Sequence, residues 1–156
     1  MEKNERRTMV DVVGDVYIKK GLFKKDTYRM VFTETSVLFS HVTKDMQKEE
    51  QKDFKEFLKG KKLKERIGAM LHARERINEQ YLHMSEEEIL HKGESSFKLA
   101  YKDVKKVKRK SNYADEDTVS QPASVIVKLS SDKLKLNFSD DRASSKAYKL
   151  LKKAIK

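Results

Sequence analysis

The chain has 156 residues, 37 % of them hydrophobic and 39 % charged, with a net charge of +11 and no cysteine. That length suits one domain with its own core, and the absence of cysteine excludes disulfides and thiolate metal sites and fits a reducing compartment. The opening MEKNERR has no apolar run behind it, and stretches such as Val37–Phe39 are far too short to span a bilayer, so a soluble, cytoplasmic protein is expected.

The charge is unevenly spread. Residues 1–44 hold 9 basic and 6 acidic side chains, residues 45–92 hold 11 and 11, residues 93–113 hold 7 and 2, and residues 114–156 hold 9 and 6. The balanced segment suits a solvated helical surface, and the excess falls in segments of β pattern. A positive field attracts phosphate-bearing partners, lipid head groups and nucleic acid alike; the plainer reading is that lysine keeps sheet edges soluble.

Met9–Phe23 is rich in Val, Tyr and Ile, with Gly14 and Gly21 as candidate bulges and a turn near Lys20-Gly21 or Lys25-Asp26. Tyr28, Met30 and Phe32 share one strand face. A two-residue loop at Glu34-Thr35 sets Phe32 opposite Val37 and Met30 opposite Phe39. Neither loop residue is favoured in a type I′ turn, which leaves a longer loop open.

The period changes at Asp45–Lys92. Phe54, Phe57 and Leu58 fall at helical spacing, Gly60 interrupts, and Leu63, Ile67, Met70, Leu71, Ile77 and Tyr81 continue a second stripe. Ser85 with Glu88 forms a capping box for a short helix that Gly93 can end. The stripes are expected to pack on the sheet. Their flanks (Glu49, Glu50, Lys52, Asp53, Lys55, Glu56) also suit a helical hairpin that pairs with a partner.

Phe97, Leu99 and Tyr101 alternate along a further strand, and Asp103, Val104 and Val107 follow a corner. Residues 109–123, with Asp115-Glu116-Asp117 and the single Pro122, are predicted to be a mobile loop. A turn centred on Ser131-Asp132 then pairs Leu129 with Leu134, Val127 with Leu136 and Val125 with Phe138, with Lys128, Lys133 and Lys135 pointing away. Ser139 can cap a last helix. Ala143, Ala147, Leu150, Leu151, Ala154 and Ile155 form its apolar face, and lysines toward its end suit the dipole.

Hairpin, strand with a YKDVKKV corner, hairpin and terminal helix resemble the pleckstrin-homology-like (PH-like, including GRAM-like) domains of prokaryotes. Glu87-Glu88-Ile89-Leu90 followed by Phe97, Leu99, Tyr101, Asp103, Val104 and Val107 carries the likeness where some relatives restart the sheet after inserted helices. The resemblance implies an α+β fold of two antiparallel sheets forming a barrel closed by a C-terminal helix. Residues 1–156 are then one domain with a helical insertion at 45–92 between the third and fourth strands. It also implies a binding or adaptor module rather than an enzyme, with a protein partner and weak recruitment to an anionic membrane surface.

In such relatives a first-hairpin mouth holds phosphate, which places Lys19, Lys20, Lys24, Lys25 and Arg29 as the candidate anion site. The spacing to Arg29 departs from the phosphoinositide-binding pattern, and the chain has no Trp for the terminal helix. The alternative is nucleic acid along Lys102, Lys105, Lys106, Lys108, Arg109 and Lys110, flanked by Tyr101 and Tyr113. Of these tyrosines, Tyr101 falls in step with core positions, so only Tyr113 is a free stacker. No two of His41, His72, His83 and His91 stand at metal-ligand spacing. No phosphate loop, nucleophile elbow or Cys nucleophile is present. No catalytic residue, metal or cofactor is expected.

Overall fold

The structure, a computed structural model, describes residues 9–19, 24–110, 123–138 and 141–155. Seven antiparallel strands form one sheet in the order β4-β3-β2-β1-β7-β6-β5. In chain order they are β1 (Met9–Lys19), β2 (Lys25–Thr33), β3 (Ser36–Val42), β4 (Phe97–Ala100), β5 (Lys106–Lys110), β6 (Ala123–Lys128) and β7 (Lys133–Phe138). Helices α1 (Lys44–Leu58), α2 (Leu63–Leu82) and α3 (Glu86–Leu90) lie between β3 and β4, and α4 (Asp141–Ala154) follows β7.

The fold is α+β, as expected, and where two sheets forming a barrel are expected the strands pair as one open sheet followed by a C-terminal helix. β1 is long enough to pair with β2 along its length and with β7 at Val16 and Tyr17, so it joins both halves. Its register shifts between Val13 and Val16, and the bulge at Gly14-Asp15 turns the strand between its two partners. β4 and β5 are the edges, separated by a 3-10 turn at Tyr101–Asp103.

One face of both halves buries a common core. Val16, Tyr28, Met30, Phe32, Val37 and Phe39 meet Val125, Val127, Leu136 and Phe138, with Ala147 and Leu151 of α4 completing the cluster. Phe39 stacks on Phe97 with centroids 4.5 Å apart, and Tyr28 meets both rings edge-on. Ala147 and Leu151, one turn apart, are fully buried, whereas Lys146, Lys149, Lys152 and Lys153 face water. This is the amphipathic split that the helical period predicts.

The β2–β3 hairpin has the expected register, with Phe32 opposite Val37 and Met30 opposite Phe39. Thr33 explains how a loop of Glu34 and Thr35 works without type I′ residues. Its Oγ1 accepts from the amides of Thr35 (3.3 Å) and Ser36 (3.0 Å) and also bonds the Ser36 carbonyl (3.0 Å). A local side chain thus holds the turn.

The β6–β7 hairpin is displaced by two residues from its expected register. Val127 faces Leu134, Val125 faces Leu136, and Lys128 faces Lys133. The connection is a four-residue loop, in which the Leu129 amide donates to the Asp132 carbonyl at 2.8 Å and the Lys133 amide to Asp132 Oδ1 at 2.7 Å. Because strand faces repeat every two residues, this slip keeps each side chain on its predicted face. Val125, Val127, Leu136 and Phe138 are buried, Leu129 and Leu134 are half-buried, and Lys133 and Lys135 are exposed.

The insertion is helical, as its period predicts, and packs on the outer face of the first half of the sheet. Val12, Val31 and Leu38 project there against Tyr81 of α2 and Ile89 of α3. Thr43 caps α1, its side chain accepting from the Met46 amide, and Gly60 follows α1 with φ of 80°, a conformation suited to glycine. Both halves of the Ser85–Glu88 capping box are made. Leu63 and Ile67, expected in the packed stripe, instead stand in water at 74 % and 57 % exposure. The side chains of Phe57, Met70 and Leu71, and Ser139, the expected cap of α4, lie outside what the structure describes.

Candidate functional site

The phase of β2 decides the fate of the first candidate site. Tyr28, Met30 and Phe32 point into the core, so Thr27, Arg29 and Val31 point to the outer face beneath the insertion. Arg29 is 5 % exposed and is removed from the expected anion site. Its guanidinium makes a two-point pair with Glu50 of α1, Nη1 to Oε2 at 2.8 Å and Nη2 to Oε1 at 2.6 Å. Nη1 also donates to Tyr81 Oη at 3.2 Å, and Nε lies 3.5 Å from Asp15. Burial disfavours the charge, but the Glu50 hydrogen bond and the nearby Tyr81, Asp15 and Glu50 outweigh it and hold the group above its ordinary range. A cation neutralised in this way ties α1 and α2 to the sheet and is not offered to a phosphate.

Gly14 makes this arrangement fit. A Cβ at that position would lie 2.9 Å from Arg29 Cγ, so the bare backbone of the bulge lets the arginine stem pass. Around the pair is a cleft of about 490 Å³, lined among others by Asp15, Tyr17, Gln47, Gln51, Phe54 and Asn78. Its charged groups include Asp15, Arg29, Glu50 and Lys55, which balance one another. The cleft has no excess charge with which to select an ion.

The other residues of the first site behave differently. Lys19, Lys24 and Lys25 are exposed at the end of the β1–β2 pair where the two strands connect, and Lys19 faces Lys25. Lys25 Nζ lies 4.4 Å from the centre of the Tyr17 ring, a cation–π contact. Lys20 lies outside the described residues. The mouth therefore supplies exposed ammonium groups without an enclosed phosphate pocket among the described residues lining it.

In the second candidate stripe, Lys102, Lys105, Lys106, Lys108 and Lys110 are exposed. Arg109 has the opposite phase on β5, and its Nε donates to Ser144 Oγ of α4 at 3.3 Å. Tyr101 is half-buried and donates to the Thr33 carbonyl at 2.7 Å, so it is not a free stacking ring. Burial pushes its pKa up to about 12. Tyr113 lies outside the described residues.

Strand pairing brings the two basic groups onto one face, which was not apparent from either segment alone. Lys106, Lys128 and Lys133 lie side by side across β5, β6 and β7, and the next row is Lys108, Ile126 and Lys135. A third row runs through Lys110, Ser124 and Asn137 to Tyr17 on β1. Lys19 is two residues beyond Tyr17, on the same face as Lys135. The hairpin mouth and the β5–β7 lysines are thus parts of one basic face.

Among the described residues, no group of acidic and histidine side chains forms a metal site, and no helix is long and apolar enough to cross a membrane. No family model and no curated protein matches the chain. Among solved structures, the chain is similar to the C-terminal domain of an unknown protein from Leishmania infantum. The identity is 10 %, the alignment covers 96 % of this chain and 86 % of that one, and the TM-score is 0.48.

Proposed function

We propose that this chain is a non-enzymatic PH-like binding or adaptor module that is recruited to anionic membrane surfaces and engages a protein partner. The observation that carries the reading is the shared basic face, with Lys19, Lys24 and Lys25 exposed at its hairpin end. Ammonium groups on such a face attract negative charge without demanding one head group. The fold supports the family resemblance through β1 serving both halves of the sheet, a core common to both, and a terminal helix packed against that core. The barrel-like wrap of the PH-like family belongs to the same proposal.

A protein partner is supported by Leu63 and Ile67, two large apolar residues one turn apart at the exposed start of α2. The test is co-sedimentation with vesicles of phosphatidylcholine alone and with added phosphatidylserine, at low and at physiological salt. Binding only to the anionic vesicles, weakened by salt, is expected. Equal partitioning to both, or to neither, refutes membrane recruitment. Leu63→Glu with Ile67→Glu should leave vesicle binding unchanged, since those side chains lie on the insertion.

A further inference from the structure

We infer that the outer face of β5–β7 is the principal membrane-docking surface, taking the phosphate and carboxylate head groups of anionic lipids. The inference rests on the membrane reading above and relocates its centre from the hairpin mouth to the lysine rows.

The first argument is electrostatic. Lys106, Lys128 and Lys133 are direct cross-strand neighbours, about 5 Å apart from strand to strand. Like charges directly opposite each other destabilise a sheet. Keeping sheet edges soluble calls for lysine at the edge strand β5, but it does not account for Lys128 and Lys133 continuing the row inward. A polyanion lying across the row would offset the repulsion. The outward positions of these strands contain no carboxylate. Asp132, in the adjoining loop, has its Oδ1 occupied by the Lys133 amide.

The second argument concerns the kind of polyanion. Arg109, the stripe's only guanidinium, turns to Ser144 on α4, and Tyr101 is held by the Thr33 carbonyl. Among the described residues of the face, no arginine fork points toward bases, and Tyr17, half-buried, already carries Lys25 Nζ 4.4 Å from its ring centre. Its centre instead holds Ile126, half-buried between Lys108 and Lys135. An apolar side chain ringed by ammonium groups suits the head-group boundary, where lysines meet charge and an aliphatic tip meets acyl chains. The outer face of the other half is covered by α2 and α3, whereas on this half the outward lysines are exposed, although Ser124 and Asn137 in the third row are buried.

Each lysine near an anionic leaflet is worth about fivefold in partitioning. Lys106→Gln, Lys108→Gln and Lys135→Gln together should therefore weaken binding to phosphatidylserine-containing vesicles about a hundredfold. Lys24→Gln with Lys25→Gln should weaken it by no more than about tenfold. Thermal melts should show the triple variant at least as stable as wild type, because neutralisation relieves repulsion, so loss of binding will not be loss of fold. If the pair abolishes binding and the triple variant retains it, recruitment stands and this inference falls. If wild type ignores anionic vesicles, the membrane reading itself falls and takes the inference with it. If wild type ignores vesicles but binds duplex DNA or RNA, and the triple variant does not, the rows are a nucleic-acid surface and the inference is overturned.

Discussion

Replacing Glu50 by alanine isolates the link between the insertion and the sheet. The change leaves the Arg29 side chain, 6 % exposed, with Tyr81 at 3.2 Å and Asp15 at 3.5 Å as remaining partners. Truncating one member of a buried ion pair costs about 3–5 kcal/mol, chiefly because the other charge stays buried. Two features lower that figure. The Glu50 side chain is itself 23 % exposed, so water can enter where it was, and Asp15 still supplies a carboxylate. A loss of about 2–3 kcal/mol is expected. For a chain of this size, each kcal/mol moves Tm by about 2–4 °C, so Tm should fall by about 4–12 °C. Alanine is the best helix former, so α1 itself should not be weakened. Amide exchange supplies the second readout, with α1 amides exchanging faster than those of β6 and β7. A Tm within about 1 °C of wild type, as for an exposed ion pair, would refute the assignment of Arg29 as the anchor.

Leu136→Ala removes a fully buried core side chain and should cost about 2–5 kcal/mol in urea unfolding; wild-type stability would place the residue outside the core. Lys128→Glu puts an acid between Lys106 and Lys133 and should raise stability at low salt by about 0.5–1 kcal/mol while weakening vesicle binding. A loss of stability at low salt would count against the rows. Tyr101 should ionise later than exposed tyrosines, near pH 12, when absorbance is followed at high pH. Its folded-state pKa is raised above the unfolded value of about 10, so its contribution to stability is present below pH 10 and lost as pH rises toward 12. Tyr101→Phe should remove this late step; a late step that survives the change belongs to another tyrosine.

Local pattern carried much of the fold, and pairing between distant segments carried most of the candidate site. The β2–β3 register was legible because apolar alternation on both strands left one short loop that matched them. In the β6–β7 hairpin the same alternation defined the faces but not the register, since a two-residue slip leaves every face unchanged and the loop chemistry at Asp132 made the choice. Arg29 was grouped with neighbouring lysines by composition. The phase of Tyr28, Met30 and Phe32 already placed it on the opposite face, although its partner Glu50 lies 21 residues away on a helix whose docking no local pattern specifies. Lys128, Lys133 and Lys135 were legible as outward-facing. Their union with Lys106 and Lys108 needed the β5–β6 pairing, in which Arg109 and Lys110, expected in a loop of residues 109–123, belong to β5, and Ala123 to β6.

The close approach of Gly14 to Arg29 restricts the order in which this sequence can change over evolutionary time. A side chain at position 14 meets the arginine stem before it meets anything that can yield cheaply, so it would displace the guanidinium from Glu50. Lineages in which residue 29 has first become short or apolar, with residue 50 altered to match, could then accept a larger residue at 14. The three positions should vary as a set, with intermediates that change residue 14 first rarely surviving. In a family of such chains, arginine at 29 would occur only together with glycine at 14.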